Sequence, residues 1–291
     1  MTLYEAIILG IVQGIAEFLP ISSSGHLILF PYLLGWEPHD LVFDVALHFG
    51  TALAVIIYFF KDWFNMIYST TQDLVNIMKV AFSKKQPLKT TATHTLRHQS
   101  RLFIYIILVT IPVGIAGFLL EDTVEHIFRS PLLVGIMLIL MSIVMIMADR
   151  YMNFIESRHI DIISTLKNLK FLDALLISLS QIIALIPGTS RSGITVSVGM
   201  FRKISREQAA RFSFLLATPV ILGAALLKSR DLVDMTSDDL QLLAVGTIVS
   251  FVVGILSIAF LVKYLKNHSL TLFIVYRILL GVLVIYVALF K

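Results

Sequence analysis

Two short polar stretches interrupt a chain that is otherwise rich in apolar residues. The first, EFLPISSSGH, spans residues 17–26, and the second, LIPGTSRSG, spans residues 185–193. Ionisable side chains are costly inside a membrane and usually mark a functional site there. Glu17, His26 and Arg191 are therefore the first candidates for chemistry, since together they offer a base, a nucleophile and a permanent positive charge.

Each stretch combines a proline with serines in the order that ends one helix and begins another. Pro20 and Pro187 lack the N–H that a continuing helix needs, and serines after the break are good N-caps for a second helix. Two helix N-termini that converge deep in the membrane form an anion site, because their free N–H groups and dipoles favour negative charge. Arg191 adds a planar fork suited to phosphate oxygens, and Glu17 shares a helix face with Gln13 four residues earlier. The predicted chemistry is phosphoryl transfer, which needs charge stabilisation, positioning and a nucleophile or base.

Several polar side chains elsewhere have weaker claims to a function. A serine inside a membrane helix usually bonds back to its own backbone, and Ser180 and Ser213 are expected to do so. Asp44 and His48 lie four residues apart at one end of a span and are secondary candidates, balanced against a structural role. Arg277 is expected to reach the cytoplasmic face or to pair with a carboxylate.

The composition predicts an integral membrane protein. Of the 291 residues 57% are hydrophobic and 14% are charged, with a mean hydropathy of +0.89, which leaves too little polar surface for a soluble domain of this length. Cysteine is absent, which excludes disulfides and thiolate metal sites. The N-terminus lacks a basic segment and a cleavage site, so no removable signal peptide is predicted. The pI of about 9.2 is typical of basic loops that set orientation rather than of nucleic-acid binding.

Six apolar segments are long enough to cross a bilayer as helices, since about 20 residues span its hydrocarbon core. Basic residues concentrate in the loop at about 61–101 and after residue 148, whereas the alternate connections carry Asp and Glu. The positive-inside rule therefore places the 61–101 loop in the cytoplasm, and both chain termini lie outside if the two remaining apolar stretches are re-entrant. The acidic connections contain Glu37, Asp40, Glu121, Asp122, Glu125, Asp231, Asp234, Asp238 and Asp239. The predicted spans are about 42–60, 102–120, 132–148, 207–227, 241–262 and 271–290.

The two remaining apolar stretches, residues 1–34 and 171–201, are each broken in the middle. A single crossing by either would invert the alternation of charge, so each is predicted to enter and leave by the same face as a re-entrant hairpin. A shift of 168 residues places Ser22 on Ser190 and Gly25 on Gly193, and it relates halves that begin on opposite faces. The predicted fold is an all-α polytopic membrane protein with six transmembrane helices plus two re-entrant helix–loop–helix hairpins in an inverted-topology repeat. It is a single integral membrane domain over residues 1–291, with repeat halves at about 1–150 and 168–291.

The motifs QGIAEFLPISSSGH and PGTSRSG resemble the two signature motifs of the bacterial undecaprenyl pyrophosphate phosphatases, also known as bacitracin-resistance proteins. The resemblance continues through FDVALHFGTALAV, RFSFLLATPVILGA and VYRILLGV, so it covers essentially the whole chain. It implies hydrolysis of undecaprenyl pyrophosphate to undecaprenyl phosphate and inorganic phosphate, which recycles the lipid carrier for peptidoglycan synthesis and gives bacitracin resistance. It also implies a multi-pass protein of the bacterial inner membrane, an active site that faces the outer side, and a requirement for Mg²⁺ or Ca²⁺.

The resemblance also assigns residues. Gln13 stands where many relatives have a glutamate, and an amide cannot ionise, so Gln13 is a poor metal ligand or base. Glu17 is then the only carboxylate of its motif, which weakens a two-carboxylate metal site. The predicted catalytic residues are Glu17, Ser23, His26 and Arg191, with Glu17 also the metal ligand, and the predicted substrate-binding residues are Gln13, Ser22, Ser24, Gly188, Thr189, Ser190, Ser192 and Gly193.

Several mechanisms and functions stay open at this point. Arg191 and the helix N-termini would clamp the pyrophosphate while the cation bridges its oxygens to Glu17. Either His26 or a serine, Ser23 first, would attack the terminal phosphorus, or His26 would activate a water. The main alternative function is a transporter or flippase of polyprenyl phosphate or another anionic substrate, since carriers also use inverted repeats with broken helices. The expected partners are the polyprenyl pyrophosphate lipid substrate and membrane lipids, not nucleic acid, and a homodimer is left open.

Overall fold

The computed structural model describes residues 1–81, 96–120, 128–230 and 236–290. Within these ranges the chain is helical apart from turns, two short 3₁₀ segments and one isolated bridge between Ile163 and Ile204. Six of the helices are long and apolar enough to cross a membrane, so the prediction of an all-α multi-pass membrane protein is confirmed. In chain order the helices are α1 (Leu3–Ala16), α2 (Ser23–Leu34), α3 (Leu41–Tyr58), α4 (Phe60–Ala81), α5 (His98–Leu119), α6 (Pro131–Ser157), α7 (Phe171–Ser180), α8 (Arg191–Phe201), α9 (Arg206–Lys228), α10 (Ser237–Tyr264) and α11 (Thr271–Phe290).

The six predicted spans correspond to α3, α5, α6, α9, α10 and α11. Helix α6 continues to Ser157, well beyond the predicted end at residue 148. One face of the extension is buried, and on it the carboxylate of Asp149 accepts a hydrogen bond from Arg206 Nε at 2.8 Å. A search for continuous apolar segments misses this extension, because the extension contains charged residues and is stabilised by an ion pair.

Helix α4 lies in the segment that we expected to be a loop. It follows α3 after a break at Phe59, and Phe60, Phe64 and Tyr68 stack along one of its faces. The carboxylate of Asp73 on α4 accepts a hydrogen bond from Ser100 Oγ of α5 at 2.6 Å. Apolar residues at this spacing form an amphipathic helix, which lacks the continuous apolar run of a membrane span. Of the basic residues in the 61–101 loop, Lys84, Lys85 and Lys89 lie outside the described residues.

Contacts between helices show which helix ends lie together. Leu47 packs against Gly246 and Ala54 packs against Gly254, so α3 and α10 run parallel. The first turns of both helices therefore lie at one end of the bundle, which we call the acidic end. Salt bridges join α4 to α9, and α9 to Lys266 just after the end of α10, at the opposite, basic end. The acidic end carries Glu37, Asp40, Asp238 and Asp239, and the basic end carries Lys61, Arg202, Arg206 and Lys266; Glu121, Asp122, Glu125, Asp231 and Asp234 lie outside the described residues.

The two ends of each broken stretch lie in contact with each other. The ring of Tyr4 on α1 packs edge-on against Trp36, just after α2, with centroids 6.3 Å apart. Asp173 in the first turn of α7 forms a salt bridge of 2.7 Å with Arg202, the residue after α8. The first pair lies at the acidic end and the second at the basic end. The turns between the paired short helices therefore lie inside the bundle, where they approach each other.

Candidate active site

The two internal turns share one backbone conformation. Ser22 and Ser190 have φ values of 79° and 73°, a left-handed region that residues other than glycine rarely adopt. Each serine hydroxyl accepts a hydrogen bond from the backbone N–H three residues later, that of Gly25 or Gly193, and so caps the second helix as predicted. A backbone of this kind costs about 1–3 kcal/mol and persists only where its surroundings impose it. The bundle therefore imposes the position of the residues that follow each cap.

The two turns also bond to each other. Gly188 N–H donates to Ser22 Oγ at 3.0 Å, and Ser192 Oγ donates to the carbonyl of Leu19 at 3.2 Å. Gly188 has a φ of 93°, and a Cβ at this position would lie 2.6 Å from the carbonyl oxygen of Val134. Only glycine fits both the conformation and the space. The two breaks thus meet, as the sequence predicted.

A buried arginine on α11 holds the two turns together. Arg277 is 0% exposed and donates to the carbonyls of Pro20 at 3.3 Å, Gly188 at 2.9 Å and Thr189 at 3.1 Å. A fourth bond runs to Ser142 Oγ on α6 at 3.3 Å. The expectation that Arg277 reaches the cytoplasmic face or pairs with a carboxylate is wrong. Three of its partners are carbonyl groups that the broken helices leave unpaired, and its charge lies beside the site.

The carboxylate of Glu17 is the centre of a polar cluster. Its Oε1 accepts a hydrogen bond from Arg191 Nη2 at 2.7 Å, and its Oε2 accepts one from Ser23 Oγ at 2.7 Å. Gln13 Nε2 donates to the same Oε2 at 3.1 Å, and His48 Nε2 lies 3.3 Å from it. The Glu17 side chain is 5% exposed, so its charge is balanced within the protein rather than by water. Residues from both broken segments therefore meet at one carboxylate.

Arg191 is held from two sides. Its Nη1 donates to the carbonyl of Ser213 at 2.8 Å and to the hydroxyl of the same serine at 3.2 Å, while its Nη2 donates to Glu17. Ser213 Oγ also accepts a hydrogen bond from Thr195 Oγ1 at 2.7 Å, so it does not simply bond back to its own helix as expected. Ser180 does bond back, as predicted. Since the bonds of Arg191 use three of the five guanidinium N–H groups, the fork is oriented and retains donors for a ligand.

His26 has a different environment from the one expected of a nucleophile or base. Its Nδ1 lies 2.7 Å from the carbonyl of Ser22, and its Nε2 lies 2.7 Å from the hydroxyl of Tyr276. The ring is 3% exposed and stacks on Tyr276 with centroids 5.7 Å apart. Because a carbonyl accepts at Nδ1, that nitrogen carries the proton and Nε2 accepts from the tyrosine. Both ring nitrogens are thus engaged in holding the first turn of α2, which gives no support to a nucleophile or base.

The other predicted substrate-binding residues divide into two groups. Ser190 and Ser192 lie with their hydroxyls 3.2 Å apart, and Thr189 Oγ1 donates to a carbonyl of its own turn, so these side chains build the second break. Gly193 donates its N–H within the same turn. Ser24, by contrast, lines a cavity of about 240 Å³ next to the cluster. The side chains available to a ligand are therefore fewer than the motif suggests.

His48 connects this cavity to the cluster. Its Nδ1 lies 2.7 Å from the backbone carbonyl of Asp44, which can only accept, so Nδ1 carries a proton. Its Nε2 faces Glu17 Oε2, which is also an acceptor, so that contact is satisfied when a further proton lies between the imidazole and the carboxylate. The sequence placed His48 only among secondary candidates, and it missed Ser213, Thr195 and Tyr276. The polar residues of the cavity wall are Ser24, Asp44, His48 and Arg129, and the apolar ones include Leu27, Ile28, Val45, Pro187 and Val220.

Comparison with known proteins shows a family and individual proteins that the chain resembles over nearly its whole length. The family described as bacitracin resistance protein BacA matches residues 6–283 of the chain. The undecaprenyl-diphosphatase of Pelotomaculum thermopropionicum is 43% identical over 289 residues, which cover 99% of this chain and 97% of that protein. The undecaprenyl-diphosphatase of Desulforudis audaxviator is 42% identical over 292 residues, which cover 100% of both chains. The similarity therefore includes both broken segments and all six long apolar helices.

Proposed function

The chain belongs to the bacitracin resistance protein BacA family, and on that premise we propose that its Ser23–Glu17–Arg191 cluster hydrolyses undecaprenyl diphosphate. The products are undecaprenyl phosphate and inorganic phosphate. The reaction recycles the lipid carrier for peptidoglycan synthesis and gives resistance to bacitracin. The observation that supports this most is a serine that donates a hydrogen bond to a carboxylate, which is itself paired with an arginine from the opposite hairpin. This is the arrangement of an activated nucleophile beside an anion clamp.

The geometry favours Ser23 among the nucleophiles that the sequence left open. Ser23 Oγ attacks the terminal phosphorus while its proton passes to Glu17 Oε2, 2.7 Å away. The bond from that phosphorus to the bridging oxygen breaks, and the lipid phosphate leaves. Arg191 and the N–H groups of the first turn of α2 stabilise the charge on the transferred phosphoryl group. Water then hydrolyses the phosphoserine, so that Ser23 regains its proton and inorganic phosphate is released.

The donor set around Glu17 bears on the expected Mg²⁺ or Ca²⁺. Both of its oxygens accept hydrogen bonds, from Arg191 and Ser23. In the part of the chain that the structure describes, no group of three or more His, Cys, Asp or Glu side chains is placed to hold a metal ion. Such hard cations take six or more oxygen ligands, so these side chains do not fit a resident ion. We propose that the cation reaches the site bound to the diphosphate, whose oxygens supply ligands that the protein lacks.

The same contacts weigh against a pure carrier. A transporter of an anionic lipid would need Arg191 and the two helix N-termini to hold its substrate. It would have no use for a serine hydroxyl bonded to a buried carboxylate. The Ser23–Glu17 bond of 2.7 Å therefore favours hydrolysis over transport.

We also propose that both broken segments are re-entrant hairpins of an inverted repeat in the bacterial inner membrane. The Tyr4–Trp36 and Asp173–Arg202 contacts support this, since one hairpin faces the acidic end and the other the basic end. The matching caps of the two turns, 168 residues apart in sequence, support a repeat. By the positive-inside rule the acidic end, towards which the cavity beside Asp44 lies, faces the outer side. A homodimer stays a prediction.

Phosphate release tests the proposed function. Purified protein in detergent is mixed with undecaprenyl diphosphate and a divalent cation, and inorganic phosphate is measured over time. We expect turnover by the wild type and near-complete loss in Ser23→Ala and Glu17→Gln. Ser180→Ala is the matched control, because its hydroxyl donates to the carbonyl of Ile177 in its own helix. Full turnover by Ser23→Ala would show that Ser23 is not the nucleophile. If the wild type releases no phosphate with any cation, transport is left as the function.

A further inference from the structure

Arg129 occupies a position that the hydrolytic cluster does not explain. It lies two residues before α6, its side chain is 26% exposed, and its Nη2 donates to Asp44 Oδ2 at 2.9 Å. It lines the cavity of about 240 Å³ beside His48 and also a second cavity of about 520 Å³. Leu27 and Ile28 line both cavities as well, so the two cavities adjoin at Arg129. The guanidinium is therefore within reach of a ligand in either cavity.

The smaller cavity extends from Arg129 to residues that adjoin the reactive groups. His48 lines it and lies 3.3 Å from Glu17 Oε2, and Ser24 lines it and directly follows the nucleophile Ser23. Its volume is enough for several water molecules, since one needs about 15 Å³ by this measure. A polar group longer than a single phosphate can therefore extend from the cluster towards Arg129.

Two arginine–carboxylate pairs lie along this path. Arg191 is 2.7 Å from Glu17 at the inner site, and Arg129 is 2.9 Å from Asp44 on the side of the acidic end. A diphosphate carries two phosphate groups, and only the terminal one is transferred at Ser23. The second, which is esterified to the lipid, must lie on the side of the cavity away from the nucleophile. Arg129 is the arginine that lines this cavity, and it has the bidentate fork that phosphate oxygens favour.

Asp44 can release Arg129 without becoming an unpaired charge. Its other oxygen, Oδ1, lies 2.6 Å from His39 Nε2, so one hydrogen bond remains when the arginine turns away. The contact between His48 and Asp44 uses the backbone carbonyl and does not depend on the carboxylate. An exchange of Asp44 for a phosphate therefore avoids the penalty of a buried carboxylate without a partner.

We propose that Arg129 binds the lipid-linked phosphate, exchanging its salt bridge with Asp44 for that group, and so selects diphosphates over monophosphates. This inference rests on the proposed function, because it assigns the second phosphate of the same substrate. A monophosphate reaches only one of the two arginines at a time, whereas a diphosphate reaches both. Asp44 acts as the internal competitor that holds the arginine until substrate arrives.

Opposite effects of two substitutions test the exchange. Arg129→Gln removes a charge-assisted contact with substrate, so the KM for undecaprenyl diphosphate should rise about tenfold to hundredfold, with a much smaller change in kcat. Asp44→Asn removes the competitor, so the KM should fall, by up to about fivefold. Arg158→Gln is the matched control: this arginine follows the other end of α6, packs over Phe154, and its loss changes the net charge equally. We expect an unchanged KM in the control.

Selectivity supplies a readout that a structural salt bridge would not change. Inhibition constants are compared for undecaprenyl phosphate and for a methylene-bridged polyprenyl diphosphonate. The wild type should prefer the diphosphonate, and Arg129→Gln should lose most of that preference while its affinity for the monophosphate stays nearly constant. Arg129→Lys should retain part of the preference, because the ammonium keeps the charge but lacks the fork.

Distinct results would overturn the inference. An unchanged KM in Arg129→Gln, or a rise in KM in both Arg129→Gln and Asp44→Asn together with lower melting temperatures, would show a structural salt bridge. If Arg129→Gln does not fold, Arg129→Lys and Asp44→Asn decide, and wild-type KM and selectivity in both would refute the exchange. The proposed function fails separately, when the wild type releases no phosphate. If the wild type hydrolyses the substrate and Arg129→Gln keeps the wild-type KM and selectivity, only the inference about Arg129 fails.

Discussion

Replacement of Arg191 by lysine is the sharpest perturbation of the anion clamp. The guanidinium spans two anchors, since Nη1 binds Ser213 and Nη2 binds Glu17 Oε1 at 2.7 Å. A lysine ammonium keeps the charge beside Glu17 but is a single point, so it cannot bond both anchors and present a planar fork to phosphate. Loss of one preorganised donor at a developing charge lowers kcat by about 10²–10³, or about 3–4 kcal/mol of transition-state stabilisation. We therefore expect Arg191→Lys to fold and to lose turnover by about that factor.

Phosphate release at saturating undecaprenyl diphosphate measures this effect. Arg202→Lys is the matched control, because Arg202 follows the other end of α8 and its 2.7 Å salt bridge with Asp173 lies at the basic end. We expect the control to keep wild-type turnover, and both variants to retain an apparent melting temperature close to that of the wild type. A folded Arg191→Lys protein with kcat within about threefold of the wild type would show that the clamp lies elsewhere.

Three further predictions concern His26, the cation and Asp73. His26→Gln and Tyr276→Phe should lower the melting temperature while the folded fraction keeps its kcat, because His26 holds α2 rather than substrate; complete loss of turnover in folded His26→Gln would restore histidine as nucleophile or base. Titration of Mg²⁺ or Ca²⁺ into substrate-free protein should leave the melting temperature unchanged, whereas a saturable rise would reveal a resident ion. Burial raises the pKa of Asp73, but hydrogen bonds from Ser100 and from the Arg97 N–H, with the charge of Arg97, hold it below its usual range. Because the folded-state pKa is lowered, the stabilisation is present above about pH 4 and is lost as the pH falls through the folded-state value. Asp73→Asn should therefore abolish an acid-dependent rise in proteolysis of α4, and the same acid dependence in the variant would contradict this.

The features that the sequence predicted are those with local causes. Pro20, Pro187 and the serines that follow them act on their own segments, and so the breaks and the N-caps at Ser22 and Ser190 could be read from a few residues. The six long spans follow from the requirement that backbone groups in a bilayer be satisfied within a helix. Those long apolar helices are the part of the fold that hydropathy determines.

The features that the sequence did not predict depend on partners far along the chain. His26 meets Tyr276 across 250 residues, and Arg191 meets the carbonyl of Ser213, which no side-chain pattern indicates. Arg277 binds backbone carbonyls of both turns, so no carboxylate elsewhere marks its position. In each case a polar group is satisfied by whichever acceptor the packed helices bring near, and that is a property of the tertiary arrangement.

The location of the bound diphosphate tests the central claim most directly. The measurement is a structure of Ser23→Ala with a methylene-bridged polyprenyl diphosphonate, which cannot be hydrolysed. We predict that the terminal phosphorus lies about 3–3.5 Å from the position of the missing hydroxyl and that Arg191 contacts its oxygens. The account would be contradicted by a diphosphonate bound at the basic end, in the polar cavity of about 380 Å³ that Arg206 and Lys266 line, with Arg191 and position 23 free of ligand.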